Sequence, residues 1–236
     1  MNKVVVITGG SEGLGKEIAR SLVSNSDKVI VLARNEEKLK ATSKELNCEY
    51  EVCDVSDSES LEKVVKNILS RHERIDVLVN NAGLLLEGSI DENSYEDIEK
   101  VVMVNIVGYM YMAKAVIPDM KKKGSGFIIN ISSQSGLYHR HKRAVYNPTK
   151  WAITGFTKCL QADLSPFNIR VTGLFPGKMN TSMFNKANAD TDMSDSLDTS
   201  SVAETVKFLV NSPETMVISE LGMKSINQNT IETICY

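Results

Sequence analysis

Apolar residues in this chain come in short dense runs, separated by longer stretches in which they recur every three or four positions. The runs are KVVVIT (3–8), KVIVLA (28–33), YEVCD (50–54), IDVLVN (75–80), GFIINIS (126–132) and IRVTGLF (169–175), with a weaker one, TMVISEL, at 215–221. They are rich in Val and Ile and mostly lack in/out alternation, which predicts strands covered on both faces. The segments near 14–24, 36–46, 57–71, 95–121, 145–165 and 201–211 predict amphipathic helices. Regular alternation of the two predicts an α/β fold, a doubly wound, mostly parallel sheet of seven strands with right-handed crossovers. Asp57 and Ser58 ahead of ESLEKVV make a helix start with acidic residues in its first turn. The pattern breaks at 178–200, KMNTSMFNKANADTDMSDSLDTS, which is polar and carries little periodicity. A stretch of that kind inside a compact domain predicts a lid or a disordered loop.

Composition narrows the class. The 236 residues are most simply one domain, 1–236, with a substantial core. A net charge of -3 gives no global reason to expect a nucleic-acid or membrane-surface partner. No run of about 18 apolar residues is evident, so no membrane span is expected. The N-terminus enters a strand-like run without the layout of a signal peptide. Cys48, Cys53, Cys159 and Cys235 lack metal-ligand spacing and read as reduced thiols of a cytoplasmic protein, with neither a disulfide framework nor a metal site.

The stretch GGSEGLGKE, Gly9 to Glu17, follows the first strand and has two readings. Gly10-x4-Gly15-Lys16 is most of a P-loop, but that loop needs Ser or Thr after its lysine to bind magnesium, and Glu17 stands there. Gly9-x3-Gly13-x-Gly15 instead fits a turn that lets the backbone approach a dinucleotide pyrophosphate at a helix N-terminus. A glycine-rich turn with no ligand is the plain alternative.

TGGSEGLG (8–15), NNAG (80–83), VNIVG (104–108), ISS (131–133), YNPTK (146–150) and PGKMNT (176–181) follow in one order on one α/β frame. Together they resemble the short-chain dehydrogenase/reductase family, over nearly the whole chain to about residue 211. The resemblance implies a single Rossmann-type domain that interconverts an alcohol and a carbonyl with NAD(P), acting on a small-molecule substrate. A dinucleotide-binding regulator or sensor that turns over slowly is the alternative.

Tyr146 and Lys150 are four apart and share a helix face. A lysine cation near the phenol favours the phenolate and eases proton exchange near neutral pH. The resemblance makes Tyr146 the general acid/base and Lys150 a further contact to the nicotinamide ribose. Tyr138 and Lys142 have the same spacing, but lie in GLYHRHKR, which reads as a loop. Pro148 is tolerable only in a first helical turn, which places Tyr146 at the helix start. Ser133 ends the strand FIINISS and could hydrogen-bond the substrate oxygen; strand alternation turns Ser132 to the other face. Asn105, within IEKVVMVNIVGYMYMA, is by resemblance the fourth catalytic residue, holding a water that links Lys150 to solvent.

By the same resemblance Gly9, Ser11, Glu12, Gly13, Leu14 and Gly15 form the cofactor turn. Asp54 and Val55 meet the adenine, Asn81, Ala82 and Gly83 run along the adenosine, Pro176 and Gly177 turn over the nicotinamide, and Thr181 contacts its amide. The second strand ends VLARNEE: Arg34 stands where NAD enzymes carry an acid, and its guanidinium suits a 2′-phosphate. The cofactor read from this is NADP, against which Glu12 speaks; NAD is the alternative. The basic loop YHRHKR (138–143) could attract an anionic substrate or simply be solvated. The C-terminal ISELGMKSINQNTIETICY lacks the paired glycines that help relatives form tetramers, which leaves a homodimer through the 95–121 and 145–165 helices.

Overall fold

The structure is a computed structural model that describes residues 3–23, 25, 27–187 and 192–228. Seven parallel strands form one sheet in the order β3-β2-β1-β4-β5-β6-β7. They are β1 Val4–Thr8, β2 Lys28–Ala33, β3 Glu49–Val52, β4 Val77–Asn80, β5 Gly126–Ile131, β6 Ile169–Pro176 and β7 Glu220–Met223. Strand residues feed alternate faces. Val4 and Val6 join a core under α3 (Ser58–His72), α5 (Gly108–Lys123) and α6 (Tyr146–Leu164). Val5 and Ile7 join a second core under α1 (Gly13–Val23), α2 (Glu36–Leu46) and α8 (Thr199–Asn211). With both faces covered, every β1 position is buried, which is why the strands read as unbroken apolar runs. The strand order reverses between β1 and β4, and a crevice opens there beyond the carboxyl ends of the strands.

Side-chain caps set two helix starts. Asn35 accepts from the Lys38 backbone N–H at 2.8 Å, and Asp57 from those of Glu59 and Ser60 at 3.0 and 3.3 Å. The segment expected as one helix over 95–121 is α4 (Tyr95–Val102), a π-helical turn (Met103–Val107) and α5. By length and composition alone Tyr95–Lys123 could cross a membrane, its most apolar 18-residue stretch having mean hydropathy 1.5. In the fold 44% of its most apolar stretch is buried, and Tyr109, Met112, Val116 and Met120 account for the composition as core residues.

Two other expectations are corrected. The last strand lies at 220–223, later than the apolar run at 215–221. Side chains of β6 hold that earlier stretch by its carbonyls: Arg170 donates to Met216 O and Thr172 to Ile218 O, at 3.2 and 2.6 Å. The 178–200 segment is not structureless. It contains α7 (Ser182–Lys186), and its two ends are joined by a Met179–Leu197 bridge, with the Leu197 N–H donating to Lys178 O at 2.7 Å. Residues 188–191 of that segment lie outside the described residues, as do Cys235 and the tail from 229 on which the tetramer question turned.

Candidate active site

The turn from β1 into α1 is built by close approaches. Gly9 and Gly13 have φ of +66° and +55°, a conformation that favours glycine. A Cβ on Gly15 would stand 2.3 Å from the Gly9 carbonyl oxygen, and one on Gly9 would stand 2.9 Å from Ala82 Cα. Gly10 packs against Val31 for the same reason, with a Cβ there 2.6 Å from the valine's. Asn81 braces the turn from β4: its Nδ2 donates to Thr8 O at 2.9 Å and to Gly9 O at 3.3 Å. The first turn of α1 carries no acidic residue, and Glu12 just ahead of it is held by Lys38 and Lys186, so the positive end of the helix faces the crevice.

From this turn a cavity of about 1080 Å³ runs along the strand ends to Tyr146. Its wall includes Gly9, Ser11, Glu12, Gly13, Leu14, Arg34, Asp54, Val55, Asn81, Ala82, Gly83, Ser133, Tyr146, Lys150, Pro176, Gly177 and Thr181. Two residues assigned to the site from sequence are not in the wall. Gly15 sits against Gly9 and serves the turn's packing. Asn105 is fully buried: its amide donates to Leu84 O at 2.8 Å and Thr149 Oγ1 at 3.1 Å, and accepts from the Leu84 N–H at 2.8 Å. The carboxamide ties the π-helical turn to α6 and to the loop after β4. Such turns within helices are frequent at functional sites.

The reacting groups sit where β5 meets α6. Tyr146 opens α6, as Pro148 requires, and Lys150 follows one turn later. Tyr138 and Lys142 lie in the loop before it, Lys142 at φ +56°. Ser132 is turned away and donates to the Lys150 carbonyl at 3.1 Å, fastening strand to helix. Ser133 lies in the same wall as Tyr146, its hydroxyl lowering the pKa of the phenol and accepting from the Ser135 N–H at 3.1 Å. Lys150 Nζ, buried, donates to the Ile131 carbonyl at 3.1 Å and stands 5.8 Å from the Tyr146 ring. The Tyr109 hydroxyl donates to the same carbonyl at 2.8 Å. Nothing in the sequence spacing of Tyr109 marks it as a neighbour of Lys150.

Burial dominates the electrostatics. It pushes the Tyr146 phenol above its usual range, against the Ser133 hydrogen bond and the charges of Arg143 and Arg140. It pulls Lys150 down to about 8. The expectation that Lys150 draws the phenol toward neutrality is therefore not met: each group loses hydration in one low-dielectric place, and each is driven toward its uncharged form.

At the far end of the cavity Arg34 stands 3.6 Å from Asp54, whose other oxygen accepts from the Ser56 N–H and hydroxyl. Glu12 is not a bare acid there. Its partial burial works to raise its pKa, but Lys186 and Lys38 outweigh that and hold it at about 2. Lys38 shares the wall with Arg34, and its position one turn on was the available signal for it.

The short chain dehydrogenase profile matches residues 3–192. An uncharacterized oxidoreductase of Staphylococcus saprophyticus is 32% identical over 233 residues, covering 95% of this chain and 98% of that protein. An alcohol dehydrogenase from the archaeon Thermococcus sibiricus, solved with 5-hydroxy-NADP, superposes with a TM-score of 0.87 at 30% identity over 97% of this chain and 99% of that one. The closed form of a serine dehydrogenase complexed with NADP+ does so with 0.90 at 30% identity, over 99% of both chains. With the glycine turn, the crevice at the strand reversal and the Ser133–Tyr146–Lys150 cluster on one frame, the chain belongs to the short-chain dehydrogenase/reductase family of NAD(P)-dependent oxidoreductases.

Proposed function

We propose that the protein interconverts a carbonyl compound and a secondary alcohol using NADP, with Tyr146 as general acid and base. The observation that carries this is the cluster of Ser133 with the buried Tyr146 and Lys150 in the wall of a cavity that continues to the glycine turn. The turn, the open end of α1, Asp54, Val55 and residues 81–83 would hold the dinucleotide; Pro176, Gly177 and Thr181 would flank its nicotinamide. When bound, that group gives a hydride to the carbonyl carbon in reduction and takes it back in oxidation. In reduction Tyr146 gives its proton to the carbonyl oxygen while Ser133 donates a hydrogen bond to the same atom. Lys150, its Nζ 5.8 Å from the Tyr146 ring, returns the proton that Tyr146 loses and regains its own from solvent.

The preference for NADP rests on two cations, Arg34 and Lys38, in the wall at the end of β2. It gains from the names of similar proteins solved with NADP+ or 5-hydroxy-NADP. The 178–200 segment is read as a lid, its Met183 and Thr181 lying over Gly83 and Gly13. Exposed Met110 on α5 and Trp151 on α6 support a homodimer across those helices. Light scattering that finds a monomer removes the dimer from this reading.

NADPH oxidation with a panel of ketones, quinones and 3-oxoacyl thioesters tests the activity. Tyr146→Phe should keep NADPH affinity and lose at least ~10²-fold in turnover, the usual contribution of a positioned acid. Tyr138→Phe should retain most activity. A dead Tyr138 variant, or an active Tyr146 variant, overturns the assignment.

A further inference from the structure

The basic loop before α6 holds one cation that is not on the surface. Arg143 is only 7% exposed. Its backbone is pinned from the neighbouring loop: Gly88 bridges to Arg143, and the Gly88 N–H donates to Lys142 O at 2.9 Å. Asn147, on α6, fastens the loop's other end by donating to Tyr138 O at 3.1 Å. The guanidinium meets the Glu87 carboxylate at 3.3 Å and stands 6.0 Å from the Phe184 ring. This ion pair is incomplete on both sides. Nη1 of Arg143 and Oε2 of Glu87 are buried and have no hydrogen-bond partner.

A guanidinium has five N–H donors, and one contact of that length leaves most of them unused. A buried cation so poorly supplied is costly unless something brings acceptors to it. The carboxylates of the cavity wall do not bring them. Its acids are Glu12, Asp54 and Asp97, and each is engaged: Glu12 by Lys38 and Lys186, Asp54 by Ser56 and Arg34, Asp97 by Ser94. Arg143 itself lies in that wall, whereas Glu87 does not, so an acceptor that reaches the guanidinium comes to it from the substrate space. Arg140 is in the same wall as Tyr146, and the charges of both arginines work to lower the pKa of its phenol. Glu87 already offsets part of the charge. That suits a singly charged, planar group matching the guanidinium fork, rather than a phosphate dianion.

We propose that Arg143 anchors a carboxylate on the substrate, so that the protein acts on hydroxy and oxo acids in preference to neutral alcohols and ketones. This rests on the redox reading above and names its substrate class. The loop at 138–143 then acts through one buried guanidinium, not through general surface charge.

The test uses the full-length protein with NADPH and short-chain oxo acids, each paired with its methyl ester, which keeps the carbonyl and removes the charge. The acid should exceed its ester in kcat/KM by roughly ten- to a hundredfold, the worth of a charge-assisted contact. In Arg143→Gln that ratio should collapse toward one, whatever happens to the absolute rates. The double variant Glu87→Gln/Arg143→Gln removes both charges together, so a folded protein is available if the single variant leaves Glu87 stranded. Equal kcat/KM for acid and ester in the unmodified protein overturns the proposal. So does a fall in both that leaves their ratio intact, which makes Arg143 an influence on Tyr146 or on packing. If no pair turns over while NADPH still binds, the redox reading fails separately. Calorimetry with succinate on the NADPH-bound protein then decides the anion site: binding that Arg143→Gln abolishes sustains it, and no binding overturns it.

Discussion

Lys150 carries a cost that can be measured apart from its chemistry. Its ammonium is buried on a single carbonyl, and burial lowers its pKa to about 8. Below pH 8 it is charged both in the native protein and in the unfolded chain, so the full cost of burying the cation falls on the fold. Between pH 8 and its ordinary value near 10.5 the native lysine is already neutral while the unfolded one is not, so stability rises with pH across that window. Lys150→Met should therefore stabilise the protein near neutral pH by on the order of 3 kcal/mol, and the gain should shrink toward pH 10. Denaturant melts at several pH values read this; a gain that does not change with pH sinks it. Activity should fall in the same variant, a trade of stability against function. Arg34 is exposed and counts for little in stability, but its guanidinium meets the cavity. Arg34→Ala should weaken NADPH roughly ten- to a hundredfold more than NADH. Equal losses for the two cofactors, or an unmodified protein that already prefers NADH, would remove it from that role.

Among the elements, the junction of β5 with α6 sets the geometry of the reacting groups. Ser133 comes from the strand end, Tyr146 and Lys150 from the helix, and Ser132 ties the two by donating to the Lys150 carbonyl. Gly136, in the short turn between them, lets the backbones come that close. A Cβ there would stand 2.6 Å from Ser132 Oγ and 2.8 Å from the Lys150 carbonyl oxygen. The second contact is backbone and cannot swing away. Gly136→Ala should thus push α6 off the strand, destabilise by ~1–3 kcal/mol and lower kcat, with NADPH affinity nearly kept. An unchanged melting temperature and kcat would mean that the junction is slack. On the other side of α6 the Asn105 carboxamide reaches Thr149, whose hydroxyl donates to the Tyr146 carbonyl at 2.7 Å. The first turn of α6 is held from both flanks before any substrate arrives.

For the whole molecule, the testable question is how the segment after β6 behaves. Its ends are fixed, by the Met179–Leu197 bridge and by burial of both side chains against the α1/α8 core. Between them α7 leans on the glycine turn, where Thr181 would stand 3.7 Å from a Cβ on Gly13 and Lys186 pairs with Glu12. That contact is charged and exposed, and it is made to a residue in the proposed cofactor path. Hydrogen exchange with and without NADPH and a turnover-blocked substrate analogue should show protection rising across 178–187 more than elsewhere outside the glycine turn. Full protection in the protein alone would make the segment a fixed wall.

The pattern of the sequence alone determined the α/β alternation, six of the seven strands and the position of Tyr146 at a helix start. These are local matters: a strand covered on both faces must be apolar throughout, and a proline two residues past Tyr146 admits only a first turn. The glycines of the cofactor turn were legible too, because close backbone approach leaves no substitute. What it left undecided depends on neighbours distant in the chain. The last strand moved because Arg170 and Thr172, some forty residues earlier, claim the carbonyls that a strand would have used. Asn105 was legible as a polar residue in an apolar helix, but not that its hydrogen bonds run to Leu84 and Thr149, which only packing brings near. The Tyr146–Lys150 spacing was visible, but not the sign of its electrostatics, since burial of both groups outweighs the attraction that spacing suggests. Arg143 shows the same division. In sequence it is one of several bases in a row; the tertiary structure alone withdraws it from water, sets Glu87 against it and leaves its guanidinium short of acceptors.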